Sequence, residues 1–151
     1  MDTGEGQPAQ RLRVLASRLT NQAALAANRL VDQALGQAGV RRYHYALLAT
    51  LQEYGSASQA DLGRRTGIDR SDMVATVNDL ADWGFVHRAP DPDDRRRNVV
   101  TITAAGRTQL GQLDELISGA QDAYLAPLST ADRKTLIDLL TRLGAYHTDK
   151  K

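Results

Sequence analysis

The 151-residue sequence predicts a mainly α-helical fold carrying one small β-hairpin. Three observations predict it. Apolar residues recur at helical spacing in long stretches near both ends of the chain and in three shorter stretches between them. Glycines stand where stretches stop, at Gly36 and Gly39, Gly55, Gly67 and Gly84. Two alternating runs flank the Pro- and Asp-rich turn of "HRAPDPDDRRRNVVTITAAG", residues 87–106.

The elements follow in order. Residues 1 to about 8 have no periodicity and are expected to fray. Ala9 to Leu35 reads as one long helix, with Leu12, Leu15, Leu19, Leu30 and Leu35 and no internal Gly or Pro. Arg41 to Tyr54 is a second helix that turns Ala46, Leu47, Leu48 and Leu51 to a core. A short third helix lies in "SASQADLGRRTGI", capped by Ser58 and closed by Gly67. Asp69 to Trp83 is a fourth, capped by Asp69 or Ser71, with Val74, Val77, Leu80 and Ala81 on one face; Gly84 supplies the left-handed residue that ends it. Phe85–Ala89 and Asn98–Ile102 are strands joined by a loop too long for a two-residue turn. Thr103 opens a long helix to about Leu125, bearing Leu110, Leu113, Leu116 and Ile117. Beyond Pro127, "STAD" (Ser129 to Asp132) resembles a capping box with Asp in place of Glu, ahead of Leu136, Ile137, Leu140 and Leu143.

Short helix, turn, helix, hairpin is the order of a winged helix-turn-helix. It occupies residues 41–103, within a single domain spanning 1–151. The flanking helices, 9–38 and 104–147, carry leucine stripes with little between them but this small unit. That suits packing between two copies, so these are expected to be dimerisation helices.

Composition narrows the function. A net charge of +1 excludes binding by bulk basicity, so any contact with DNA must use a few placed cations. With no cysteine there is no thiol chemistry. Three scattered histidines, no Gly-rich phosphate loop and no H-x-x-x-H spacing point to no enzyme, no metal and no cofactor. No apolar run approaches the ~18 residues of a membrane span. The N-terminus lacks the order of a signal peptide, and a cytoplasmic protein is expected.

In the winged arrangement the third helix braces against the DNA backbone and the fourth enters the major groove, ~12 Å wide. The hairpin reaches toward the adjacent minor groove, where a guanidinium displaces counterions and senses groove width. Aspartates just ahead of the arginines are placed to hold the guanidinium fork in pose.

The run "SQADLGRRTGIDRSDMVATVNDLADWGFVHR" and the wing "DPDDRRRNVVTITAAG" resemble the MarR regulators (multiple antibiotic resistance regulators). The wing pattern is specific: Asp94, Arg95, Arg96, then Ile102, Thr103 and Gly106. The resemblance implies an obligate homodimer whose first, fifth and sixth helices intertwine. It implies binding to a pseudo-palindromic double-stranded DNA operator, often with release by a small ligand. It makes Arg96 the minor-groove residue, Asp94 its orienting partner, and Arg95 and Arg97 phosphate contacts.

The fourth helix departs from the family, with aspartates where members often carry a basic residue. Helical phase puts Ser71, Asp72, Ala75, Thr76 and Asp79 on its outer face. Base contacts are therefore expected from Ser71, Asp72 and Thr76, with the wing, Arg64, Arg65 and Arg70 supplying most of the affinity. Aspartate repels phosphate yet accepts from cytosine N4. "YHY" (residues 43–45) is rich in polar aromatics, which either pack or line a pocket. The pocket reading takes Arg18, Tyr43, His44 and Leu48 and an aromatic or phenolic effector. The function expected is a ligand-responsive transcriptional repressor; the alternative is a winged-helix protein-interaction module without specific operator binding.

Overall fold

A computed structural model describes residues 6–150; of the segment expected to fray, residues 1–5 lie outside the described residues. The long first helix is two: α1 (Gln10–Arg13) and α2 (Ala16–Gly36). They are separated at Leu15, whose backbone is extended (φ −78°, ψ 113°). No Gly or Pro marks this break. The Leu12 carbonyl left over by it accepts from the Leu15 amide at 3.3 Å and from Arg18 Nη1 at 3.5 Å.

The end of α2 is a Schellman turn. Val40 N–H donates to Leu35 O and Gly39 N–H to Gly36 O, with Gly39 at φ 70°. Leu35 and Val40, the pair this motif brings together, are both buried.

α3 (Arg42–Tyr54) crosses the middle of the molecule and buries His44, Leu47, Leu48 and Leu51. α4 (Gln59–Thr66) starts where Ser58 Oγ accepts from the Asp61 amide. α5 (Arg70–Asp82) starts where Asp69 accepts from the Asp72 amide, so Asp69 rather than Ser71 is the cap. A second Schellman turn, with Phe85 N–H on Leu80 O and Gly84 at φ 78°, reverses the chain into the wing.

The wing is β2 (Val86–Pro90) paired antiparallel with β3 (Asn98–Ile102), in register from Val86↔Ile102 to Pro90↔Asn98. A strand not expected from sequence, β1 (Ala57–Ser58), adds to the other edge of β3, giving the order β1-β3-β2. α6 (Ala104–Tyr124) and α7 (Thr130–Thr148) follow, with Thr103 and Ser129 as their caps. Ser129 accepts from the Asp132 amide, one half of the expected capping box.

One core joins these elements. Leu47, Leu48 and Leu51 meet Leu62, Met73, Val77 and Leu80 from the two short helices, Val86, Val100 and Ile102 from the sheet, and Leu110 and Leu113 from α6. α2 and α6 pack along each other above it. α7 buries none of its residues.

The Thr-x-x-Gly pattern at the start of α6 has a packing reason. Thr103 Oγ1 accepts from the Gly106 amide and donates to Gly84 O, while its own amide donates to Phe85 O. This draws α6 onto the start of β2 so closely that a Cβ on Gly106 would lie 2.1 Å from Phe85 O.

Candidate nucleic-acid interface

The wing turn is built by its aspartates. The Asp91 amide donates to Arg97 O and the Arg97 amide to Asp94 O, closing the loop. Asp91 Oδ1 accepts from the Asp93 amide. Asp94 Oδ1 accepts twice from one residue, the Arg96 amide at 3.1 Å and its Nε at 3.2 Å. That is a clamp on one oxygen rather than the two-oxygen fork expected from sequence. It leaves the far edge of the guanidinium free, and the Arg96 side chain is 91% exposed.

Arg97 faces the other way. Its Nη2 donates to Ser58 Oγ at 3.0 Å and lies 3.6 Å from Asp61 Oδ2. Ser58 is the cap of α4 and Asp61 lies in its first turn, so Arg97 pins the wing turn to the helix-turn-helix. Asp61 also pairs with Arg64. Arg65 stacks over the Tyr54 ring with its guanidinium carbon 3.9 Å from the centroid. Arg95 and Arg70 are exposed and have no ion-pair partner within 4 Å among the described residues.

Between α4, α5 and the wing lies an open groove of about 710 Å³ lined by Arg64, Arg70, Arg96 and Arg97, with Val74, Met73 and Ala60 on its floor. Both short helices and the hairpin thus contribute arginines to one groove; Asp61 partners Arg64 and Arg97, while Arg70 and the outer edge of Arg96 are left open. Such a groove suits a polyanion.

The polar groups at the start of α5 are turned on one another. Ser71 Oγ donates to Asp69 Oδ1, which also accepts from the Asp72 amide. The backbone amide of Asp72, then the Ser71 hydroxyl, hold the Asp69 carboxyl below its usual range. The side-chain contact with Asp69 and its charge push Asp72 up. Further along, Asn78 Oδ1 accepts from Arg88 Nη1 of β2 at 2.5 Å.

A second open groove, about 490 Å³, lies behind α5 between the end of α2 and the start of α3; Tyr43, His44, Arg41, Arg42, Asp32 and Asp79 line it. His44 is 3% exposed. Its Nδ1 accepts from the Arg41 amide at 2.8 Å, which leaves Nε2–H to donate to Asp79 Oδ2 at 2.9 Å. Its ring packs on Trp83, centroids 4.8 Å apart.

A protein-family model described as the MarR family matches residues 38–97. A Thauera aromatica protein described as a transcriptional regulator for the hcr operon is 34% identical over 113 residues, covering 75% of this chain and 67% of that protein. The chain belongs to the MarR family. Among solved structures, one described as a transcriptional regulator from Pseudomonas aeruginosa is 34% identical. It covers 88% of this chain and 99% of that one, with a TM-score of 0.79. The PcaV regulator from Streptomyces coelicolor, solved with its natural ligand, is 25% identical and covers 92% of this chain and 98% of PcaV, with a TM-score of 0.78. As a MarR-family protein the chain is a transcriptional regulator with a DNA-binding winged helix, and not an enzyme. Among the described residues no helix is long and apolar enough to cross a membrane.

Several expected site positions in this MarR-family chain need correction. Thr76 is buried, with its hydroxyl donating to Asp72 O, so it is not a surface group for base contacts. Val74, expected in the core, is 43% exposed, and Met73 takes its place inside. Met73, Thr76, Val77 and Leu80 follow the i, i+3, i+4, i+7 spacing of one helix face, and Val74 lies about 100° round from Met73. Leu48 is fully buried in the core, and Arg18 lies at the far end of α2 on the Leu12 carbonyl. Of the four pocket residues expected, the protomer brings together only Tyr43 and His44. Sequence reasoning missed Ser58 and Asp61 as partners of Arg97, and no local signal marks a bond across 39 residues.

Proposed function

We propose that this MarR-family regulator is a homodimeric, ligand-responsive repressor that binds a pseudo-palindromic operator in the cytoplasm. The observation that carries the reading is the Asp94–Arg96 clamp, which projects one exposed guanidinium beyond a groove shared with Arg64 and Arg70. Residues 41–103 form the lobe on DNA, and 9–38 with 104–147 join two copies. α5 of each copy enters a major groove, Arg96 enters the flanking minor groove, and Arg64, Arg65, Arg70 and Arg95 contact phosphates. The effector is aromatic, with an anionic or phenolic group, and sits in the groove beside Tyr43. What supports this part is the phenol of Tyr43 beside the Arg41 and Arg42 side chains, and the fact that PcaV has a natural ligand.

The test is genomic footprinting with purified protein, followed by affinity against salt on the recovered site. A protein neutralising Z phosphates gives a log–log slope near −0.9Z. Sharp protected sites with two half-sites a helical turn apart and a steep slope are expected. Binding that is flat in salt and unselective in sequence would favour a protein-interaction module instead.

A further inference from the structure

We propose that Val74 is a specificity-determining residue that reads the C5-methyl group of a thymine in each operator half-site. The proposal rests on the operator-binding reading above and assigns the base chemistry that reading leaves open. Val74 is 43% exposed on α5, in the groove that also holds Arg64, Arg70, Arg96 and Arg97. Apolar neighbours (Ala60, Ile68 and Met73) line the same groove, yet the protomer leaves the isopropyl group uncovered. The arginines say what covers it, because a groove so charged draws a polyanion rather than an apolar protein face.

The polar alternatives on α5 are already committed. Ser71 donates to Asp69, Asp69 caps the helix, Thr76 is bonded to Asp72 O inside the protein, and Asn78 accepts from Arg88. Asp72 and Asp79 line the second groove, on another flank of α5 from Val74, and meet phosphate with repulsion; Asp79 in addition holds His44. Arg70, at the first position of α5, is free but is a cation suited to phosphate; among the uncharged groups, Val74 and the neighbouring exposed Ala75 remain to meet a base edge. In the major groove the apolar feature of a base pair is the thymine methyl. Arg70 and Arg96 set the register by backbone and minor-groove contacts, and Val74 then discriminates by burying that methyl.

Thymine-to-uracil substitution removes this methyl and leaves the hydrogen-bonding pattern intact. Full-length protein is used to select an operator from random duplexes, and each thymine of the recovered half-site is replaced singly by uracil. Wild type is expected to lose affinity about three- to fivefold at one or two positions, the scale of one buried methyl group. Val74→Ala is expected to bind the thymine operator correspondingly more weakly and to be indifferent to uracil at those positions. Because Val74 is exposed, the variant is expected to melt like wild type. If wild type tolerates uracil everywhere, or if Val74→Ala remains as sensitive as wild type, the proposal is overturned while operator binding stands. If no sequence is enriched at all, the operator-binding reading falls and the proposal with it.

Discussion

Arg96 and Arg97 are neighbours with opposite surroundings. Arg96 is held by Asp94 and points out; Arg97 is held by Ser58 and Asp61 and points in. Arg96→Ala is therefore expected to weaken operator binding by roughly tenfold or more at fixed salt, about 1.4 kcal/mol, with the melt unchanged. Asp94→Ala is expected to weaken it too, against the naive rule that removing an acid near DNA helps, because the acid holds the guanidinium. Tighter binding by that variant would show the clamp has no such role. Arg97→Ala separates posing from direct contact. If Arg97 acts by fixing the wing, the Arg96→Ala/Arg97→Ala double variant binds no more weakly than Arg96→Ala alone. A phosphate contact would instead add to the loss and flatten the salt slope by about 0.9. The Asp-x-Arg pattern was legible in the sequence because it is local. Which of three consecutive arginines is tied inward was not, because the partners of Arg97 are the cap and first turn of α4, in another part of the chain.

The elements themselves were largely legible, since caps and left-handed glycines are local signals: Ser58, Thr103 and Ser129 cap helices as expected, and Asp69 is the one of two candidates that caps α5. What was not legible depended on partners far away. β1 is two residues long and exists only through its pairing with β3. The placement of α6 is another such case, and it yields a prediction. Gly106→Ala puts a Cβ 2.1 Å from the Phe85 carbonyl oxygen and 2.8 Å from Ile102 Cγ1, so helix and wing must part. A loss of about 3 kcal/mol is expected, at the upper end of overpacking costs. Thermal melts at equal protein concentration check it, with a fall of roughly 6–12 °C in Tm expected. An unchanged melt would mean α6 is free to shift away from the wing.

α3 and α6 are also tied by Tyr45, whose hydroxyl donates to Asp114 Oδ1 at 2.6 Å. Burial first, then this bond and the carboxylate charge, push its pKa up to about 12. A raised folded-state pKa means the stabilisation is full below the ordinary value near 10 and is lost as pH rises toward 12. Tyr45→Phe is thus expected to melt below wild type at pH 8–9, with the gap closing above pH 10. A gap constant across that range would remove the hydrogen bond as its cause.

At the scale of the whole molecule, the unsatisfied part is α7. None of its residues is buried, and Ile137, Leu140 and Leu143 are 56%, 45% and 55% exposed. Leu12, Leu15 and Leu19 at the other end of the chain are similarly bare. Soluble monomers rarely leave contiguous apolar patches beyond a few hundred Å² in water. The leucine periodicity of both ends was legible in the sequence, yet periodicity names a face and not what lies against it. In the proposed homodimer a second copy supplies the same stripes in return, as a twofold interface requires. Leu140→Asp with Leu143→Asp tests this directly. In a twofold dimer the change puts carboxylates from both copies into one apolar seam, and burying unpaired charge there is prohibitive. Wild type is expected to sediment as a dimer at nanomolar concentration, and the double variant as a monomer or as unfolded chain. Affinity for a two-half-site operator falls steeply in either case, because the two reading helices are no longer tied one helical turn apart. Affinity for a single half-site separates the two. A folded monomer keeps it, because the core around Leu47, Leu51 and Leu80 does not include α7. A wild type that is a folded monomer at nanomolar concentration and still binds its full operator tightly would overturn the dimer.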